Sequence, residues 1–263
     1  MKTVGFFVNR SKPEATAALG RLSVLAETLG FRTDGTPDCV IVLGGDGTML
    51  AAVHQYPGIP LLGLNLGSLG YLAGVEEPHF EEALRALAED RFTIARRVAL
   101  VASVLEPDGK RRALPDALND VVVSRGSSGH VAALDLAVDG RPVSHFIADG
   151  LVIATPTGST AYSLAAGGPI LLPDSASLVI TPICPHALSS RPIVVRNTAR
   201  LEVRPAPHGA AVSPMTVSAD GSVTVNAPLG SVVEVSKSDV AVPLVQLAGY
   251  DPYEVLSRKL GWS

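Results

Sequence analysis

Four apolar, mostly β-branched residues, Val40-Ile41-Val42-Leu43, run straight into Gly44-Gly45-Asp46-Gly47-Thr48. The apolar run reads as a strand buried on both faces, as in parallel sheets. Met49 to Gln55 suits a helix, so the five residues between make the turn from a strand end into a helix start. Three glycines there let backbone N–H groups approach a ligand closely, and a helix N-terminus favours an anion. Asp46 stands in the middle of that anion-friendly turn. A carboxylate there repels a phosphate unless it has a task, such as taking a proton or organising a metal. The same residues also suit an ordinary tight turn in which Asp46 caps the helix.

The flanking sequence repeats the pattern. Val4 to Val8 reads as a strand, Pro13 to Leu29 as a helix that Gly30 stops, Ile59 to Leu64 as a strand, and Pro78 to Ala88 as an amphipathic helix. A β-α-β-α-β-α order means a parallel sheet with helices on its faces and ligands at the carboxyl ends of the strands. The turn at Gly44 falls on that edge. So does a second glycine-bearing loop, Asn65 to Leu72.

After Arg91 the texture changes. Short strand-like runs follow at 98–105, 117–124, 132–138, 143–147 and 150–154, then at 178–181, 193–195, 199–203, 215–219, 222–225 and 231–237. Asp108-Gly109 and Asp139-Gly140 are hairpin signals. The expected fold is therefore an N-terminal doubly wound α/β domain at 1–95 and a mostly antiparallel, sandwich-like β domain at 96–235. A tail at 236–263 is expected to pack back on the first domain. Within the β region, Thr155 to Pro169 breaks the pattern. Pro156, Gly158 and Ser159 fit a loop into a helix of about two turns, which Gly167-Gly168-Pro169 ends. Its hydroxyls, Thr157, Ser159, Thr160 and Ser163, suit either a hydroxyl-rich or phosphorylated ligand or bonds to their own backbone.

The remaining sequence excludes several classes. A net charge of −4 gives no general pull toward nucleic acid or membrane surfaces. No apolar run is long enough to cross a bilayer. Cys39 and Cys184, far apart, read as reduced thiols of a cytoplasmic protein. Neither the cysteines nor the six histidines stand in a metal-ligand spacing. There is no P-loop, no Gly-x-Gly-x-x-Gly fingerprint and no Gly-x-Ser-x-Gly elbow.

Taken together, Gly44 to Thr48 and Thr155 to Pro169 resemble the NAD kinase family. Asn65 to Leu72, Asn119-Asp120, Thr181 to His186 and Ser190-Arg191-Pro192 match further parts of its pattern. The glycine turn alone also resembles those of 6-phosphofructokinases and diacylglycerol kinases. The resemblance implies phosphoryl transfer from ATP or polyphosphate to the 2′-hydroxyl of the adenosine ribose of NAD, giving NADP. It makes Asp46 the general base and places Gly44, Gly45, Gly47 and Thr48 near the phosphates. NAD contacts are implied for Asp46, Gly47, Asn119, Asp120 and Asp149, and for the run Thr160, Ala161, Tyr162, Ser163, Leu164 and Ala165. His130, ten residues past Asp120, joins them by offset. The implied metal is Mg²⁺ or another divalent cation carried with ATP, and the implied assembly is a homodimer or homotetramer, with Asp149 near a subunit interface. Asp120 stands where the family carries Glu, one methylene longer. The alternatives are a lipid or sugar kinase of related fold and a catalytically silent NAD-binding sensor.

Overall fold

The computed structural model describes residues 1–9, 13–67, 70–126, 131–207 and 215–262. The chain divides into two compact units, Met1–Arg97 with Ala241–Ser263, and Val98–Val240.

The first unit opens with β1 (Val4–Val8), α1 (Pro13–Thr28), β2 (Cys39–Leu43), α2 (Asp46–Gln55) and β3 (Leu61–Asn65). It continues with β4 (Val75–Glu76), a 3-10 turn at Glu77–His79, α3 (Phe80–Ala88) and β5 (Phe92–Arg97). The second unit contains β6 (Leu100–Leu105), β7 (Arg111–Ala113), β8 (Asp120–Ser124), β9 (Ala132–Val138), β10 (Arg141–Ala148) and β11 (Gly150–Ala154). After a 3-10 turn at Gly158–Thr160 come α4 (Tyr162–Ala165), β12 (Ser177–Ile183), β13 (Ile193–Arg196), β14 (Leu201–Ala206), β15 (Met215–Ala219), β16 (Val223–Ala227) and β17 (Val232–Lys237). The chain then returns to the first unit as β18 (Val242–Leu247) and α5 (Pro252–Leu260).

In the first unit the strands run in the order β1-β2-β3-β18-β5, with β4 beside the far end of β3. Strands β1, β2, β3 and β18 are parallel, and β5 is antiparallel to β18. Alternation along the strands sends Ile41, Leu43, Leu62 and Leu64 to one face, where Leu22 and Ala26 of α1 and Phe80, Leu84 and Leu87 of α3 cover them. Gly63 belongs to the opposite face. A Cβ there would lie 3.0 Å from the Met49 sulfur of α2, so α2 covers that side. Helices on both faces explain why β2 is apolar at every position.

The second unit consists of two six-stranded antiparallel sheets, β10-β9-β14-β17-β6-β7 and β13-β12-β11-β8-β15-β16. Leu134, Phe146, Val203 and Val233 of the first sheet share one core with Val121, Val123, Leu151, Ile153 and Ile180 of the second. The second sheet is also buried on its outer face, where Val122, Val152, Ala154 and Val179 form a cluster against Leu171. The segment from Thr155 to Leu171 lies over that face.

Three local features differ from the sequence expectation. Helix α2 begins at Asp46, three residues before Met49, with Gly45 as its N-cap. Strands β5 and β7 were not anticipated, because Phe92–Arg97 and Arg111–Ala113 are arginine-rich and lack a clean apolar alternation. The expected two-turn helix after Pro156 is a 3-10 turn and a single α turn, broken at Ala161 with φ −100° and ψ −124°. Ser159 and Thr160 donate their hydroxyls to the carbonyls of Pro156 and Thr157, three residues back. Such bonds compete with the backbone ladder and favour the tighter turn.

Candidate active site

The glycine turn places the Asp46 carboxylate at the first residue of α2, with the N–H groups of Asp46 and Gly47 lacking partners within the helix. Gly47 is exposed and Gly45 half-buried. The Asp46 side chain does not cap its own helix. It reaches across to the second glycine loop and accepts three consecutive peptide N–H groups. Leu72 and Ala73 donate to Oδ1 at 2.9 and 3.2 Å, and Tyr71 donates to Oδ2 at 2.9 Å. A carboxylate has about four lone-pair sites, so one remains open, on Oδ2. The loop's close approach depends on Gly70, where an added Cβ would stand 2.1 Å from Asp46 Oδ1. An open cavity of about 560 Å³ lies beside the turn, with Val8, Asn9, Gly47 and Thr48 in its wall.

In the second unit the corresponding chemistry gathers around the start of β8. Asp220, in the β15–β16 turn with φ +48°, accepts the N–H groups of Leu118, Asn119 and Asp120 at 2.8, 2.8 and 3.1 Å. Thr155 takes the carbonyls on the other side. Its hydroxyl donates to Leu118 O at 2.6 Å and its N–H to Asn119 O at 2.9 Å. Gly158 rests directly on that peptide, and a Cβ there would come within 2.0 Å of Asn119 O. The backbone of Leu118–Asp120 is thus fixed from both sides. The Asn119 amide is half-buried and has no partner among the described residues.

Asp120 is buried, 5% exposed. Burial pushes its carboxyl up from 3.8 to about 7, and the negative charge of Asp220 adds to the shift. Asp149 is half-exposed and pairs with Arg125 at 2.8 Å. Tyr162 is 45% exposed. Its phenol is held above the usual range by partial burial and by the charges of Cys184, Asp149 and Asp120, which brings these groups into one neighbourhood. Thr160, Ala161 and Leu164 are half-buried and Ala165 exposed.

The hydroxyls of Thr155–Pro169 are mostly committed internally. Ser163 is fully buried and shares a 2.8 Å hydrogen bond with Thr181. Ser159 is fully buried too, donating to Pro156 O and accepting from Leu171 N at 2.9 Å. The sequence left two readings for these hydroxyls; those of Ser159 and Ser163 bond within the fold, while Tyr162 and Ala165 are exposed. His130 lies outside the described residues. Among those described, no group of three or more His, Cys, Asp or Glu side chains is placed to hold a metal. Sequence reasoning missed Asp220 and Gly70. Asp220-Gly221 carries only the signature of a turn, and Gly70 is one of several glycines in its loop.

The sequence profile of the ATP-NAD kinase N-terminal domain matches residues 16–92, and that of the ATP-NAD kinase C-terminal domain matches residues 118–247. An NAD kinase of Desulforamulus reducens is 37% identical, with 99% of this chain and 97% of that protein aligned. The chain belongs to the NAD kinase family. The family's members are phosphotransferases acting on the 2′-hydroxyl of NAD, and this chain is such an enzyme. NAD kinases of Syntrophotalea carbinolica and Acidobacterium capsulatum are 40% and 42% identical over 87% and 86% of the chain, each with 79% of the relative covered. Among solved structures, a yeast NADH kinase complexed with NADH matches with a TM-score of 0.89 over 100% of this chain and 88% of that one. An NAD kinase from Archaeoglobus fulgidus in complex with ATP matches with 0.79 over 99% and 96%. Both are 23% identical and show the same fold.

Two expected outcomes follow from this geometry in the family enzyme. Between pH 3.8 and about 7, folded protein keeps a proton on Asp120 that the unfolded chain has lost, so this group lowers stability as pH rises through that window. Asp120→Asn should therefore melt a few degrees above the parent at pH 8 and close to it at pH 4.5, in thermal scans followed by circular dichroism. A melting difference independent of pH would refute the buried-proton account. Gly70→Ala should displace the Asp46 carboxylate from the three N–H groups it holds, lowering the melting temperature by several degrees and turnover by about 10²-fold.

Proposed function

We propose that the chain converts NAD to NADP with Asp46 as general base and ATP, as its Mg²⁺ complex, as phosphoryl donor. The observation that carries this reading is the single open lone-pair site on Asp46 Oδ2, the other three being filled by peptide N–H groups. A ribose hydroxyl bonded there is oriented by a carboxylate that cannot swing away. Its proton passes to Oδ2 as the hydroxyl oxygen attacks the terminal phosphorus and the bond to the leaving diphosphate breaks. General-base help of this kind is worth about 10² to 10⁴ in rate.

The donor phosphates are assigned to the cavity beside Gly47 and Thr48, where backbone N–H groups of the α2 start face an anion. The cation is proposed to enter with the nucleotide, as part of the substrate. The NAD nucleotide is assigned to Asn119, Asp120, Asp149 and the run Thr160–Ala165. The amide of Asn119, without a partner among the described residues, and the ring of Tyr162 supply the side-chain contacts. Asp120 at a pKa of about 7 exists in both forms near neutrality, so it serves a ribose hydroxyl either as donor or as acceptor. A homodimer or homotetramer in the cytoplasm completes the proposal. Free Cys39 and Cys184 support the reducing compartment.

The first test is an end-point assay with NAD and Mg²⁺, run in parallel with ATP and with polyphosphate, NADP being read by a dehydrogenase specific for it. Product with ATP is expected. NAD binding without product from either donor would instead indicate a sensor. Asp46→Asn should lose turnover by about 10² to 10⁴ with NAD affinity within a few-fold of the parent; a near-parental rate rules Asp46 out as the base. Tyr162→Ala should raise KM for NAD more than it lowers kcat, and a pure kcat defect contradicts its binding role.

A further inference from the structure

The sheet of the first unit forks. Strand β18 pairs with β3 only through Leu244 and Leu61, while β4 takes the same edge of β3 at Leu64 and Asn65. Beyond Leu244, β18 departs from β3 and stays paired with β5 alone, through Leu247. The gap is a cavity of about 380 Å³, walled by Leu62 and Gly63 of β3, by Val245–Leu247 and by Ala83 of α3. That volume falls in the range of small-molecule sites.

Arg97 stands in the same wall. It pairs with Val242 across the β5–β18 ladder, two residues from the Ala95–Leu244 pair, so its side chain leaves the sheet on the same face as Leu244. Arg97 is 8% exposed, and its Nε is fully buried with no hydrogen-bond partner. No described residue offers its guanidinium a carboxylate. The other two arginines of the wall are engaged: Arg258 with Glu76 at 2.9 Å and Arg91 with Glu89 at 2.6 Å. A buried cation without a counter-charge is costly, and a guanidinium presents a planar fork that matches a carboxylate.

We infer that this cavity is a binding site for a monocarboxylate with an apolar body, its carboxylate on Arg97 beside Leu244 and its chain running through the fork toward Leu62 and Ala83 on the sheet's other face. The charge balance selects that class over a phosphate. The wall has one unpaired guanidinium, and it carries Glu76 and Glu82, which repel a dianion. The apolar side chains favour a hydrocarbon body of medium length. Nothing in the inference requires Asp46 to be the base. The wall does include Tyr71 and Leu72, whose N–H groups hold Asp46.

The test is isothermal titration calorimetry of the full chain with octanoate, octanamide and inorganic phosphate. Octanoate should bind at one site with Kd on the order of 0.1–1 mM, the strength an efficient ten-atom ligand reaches. Octanamide, which has the same body without the charge, should bind at least about tenfold more weakly. Arg97→Gln should abolish octanoate binding, and Arg97→Lys should restore part of it. Ala83→Leu, which fills the cavity and leaves Arg97 in place, should abolish binding as well, and it carries the test if Arg97→Gln does not fold. Absence of saturable octanoate binding overturns the proposal, as does binding unaffected by both Arg97→Gln and Ala83→Leu. Equal affinity for octanamide overturns the carboxylate assignment, and so does phosphate binding tighter than octanoate that Arg97→Gln abolishes.

Discussion

A carboxylate that accepts three successive peptide N–H groups fixes a stretch of backbone that has no regular secondary structure to hold it. Among the described residues this happens twice, once in each unit. Asp46 holds Tyr71–Ala73, and Asp220 holds Leu118–Asp120. Both held segments lie outside regular ladders or at the start of one, where N–H groups would otherwise need water. Each charged hydrogen bond contributes about 1.5–3 kcal/mol. The more important effect is geometric, because a loop pinned by three donors has one position. The glycines at 70 and 158 follow from these clamps, since both are places where the chain passes too close to a neighbour for any side chain.

The two clamps differ in their electrostatic result. Asp46 is reached by donors on both oxygens and stays half-exposed at the edge of the unit. Asp220 fixes a segment that ends in another aspartate, and burial, reinforced by the enforced nearness of the two charges, holds Asp120 partly protonated at neutral pH. The same kind of interaction therefore yields a carboxylate with one vacant acceptor site in one unit and a carboxyl that can donate in the other. A Glu at position 120 would carry its charge one methylene farther from the strand. The shorter side chain keeps the carboxyl within the buried start of β8.

Much of this was legible in the sequence, and the failures have physical causes. The strands at 132–138, 150–154 and 215–219 were readable to the residue because one or both faces are buried and turns bound them. The strand before Gly44 was readable for the same reason. Asp46 stood out because a carboxylate among glycines is chemically anomalous. Asp220 did not, because an Asp-Gly turn between strands needs no further explanation, and its three partners lie about a hundred residues away in the chain. Strand β5 was hidden by its arginines, since Arg96 and Arg97 resemble a solvated end while Arg97 is in fact buried. The hydroxyl-rich segment stood out because it breaks the strand pattern around it. Hydroxyl density alone cannot tell a ligand from a carbonyl three residues back, and for Ser159 the carbonyl is the partner.

The position of β18 has a consequence for how the chain is made. The first unit's sheet needs a strand between β3 and β5 that comes only after the whole second unit, more than 140 residues past Arg97. A ribosome therefore delivers β1–β5 with a central slot vacant and two unsatisfied strand edges facing it. The second unit, contiguous from Val98 to Val240, has every strand of both its sheets in hand before the last residues emerge. Vectorial synthesis then imposes an order in which the sandwich is complete first and the glycine-turn unit closes last, on arrival of Val242–Leu247. Until that moment the open edges of β3 and β5 are the nascent chain's exposure to mispairing, and they are where a chaperone would be needed.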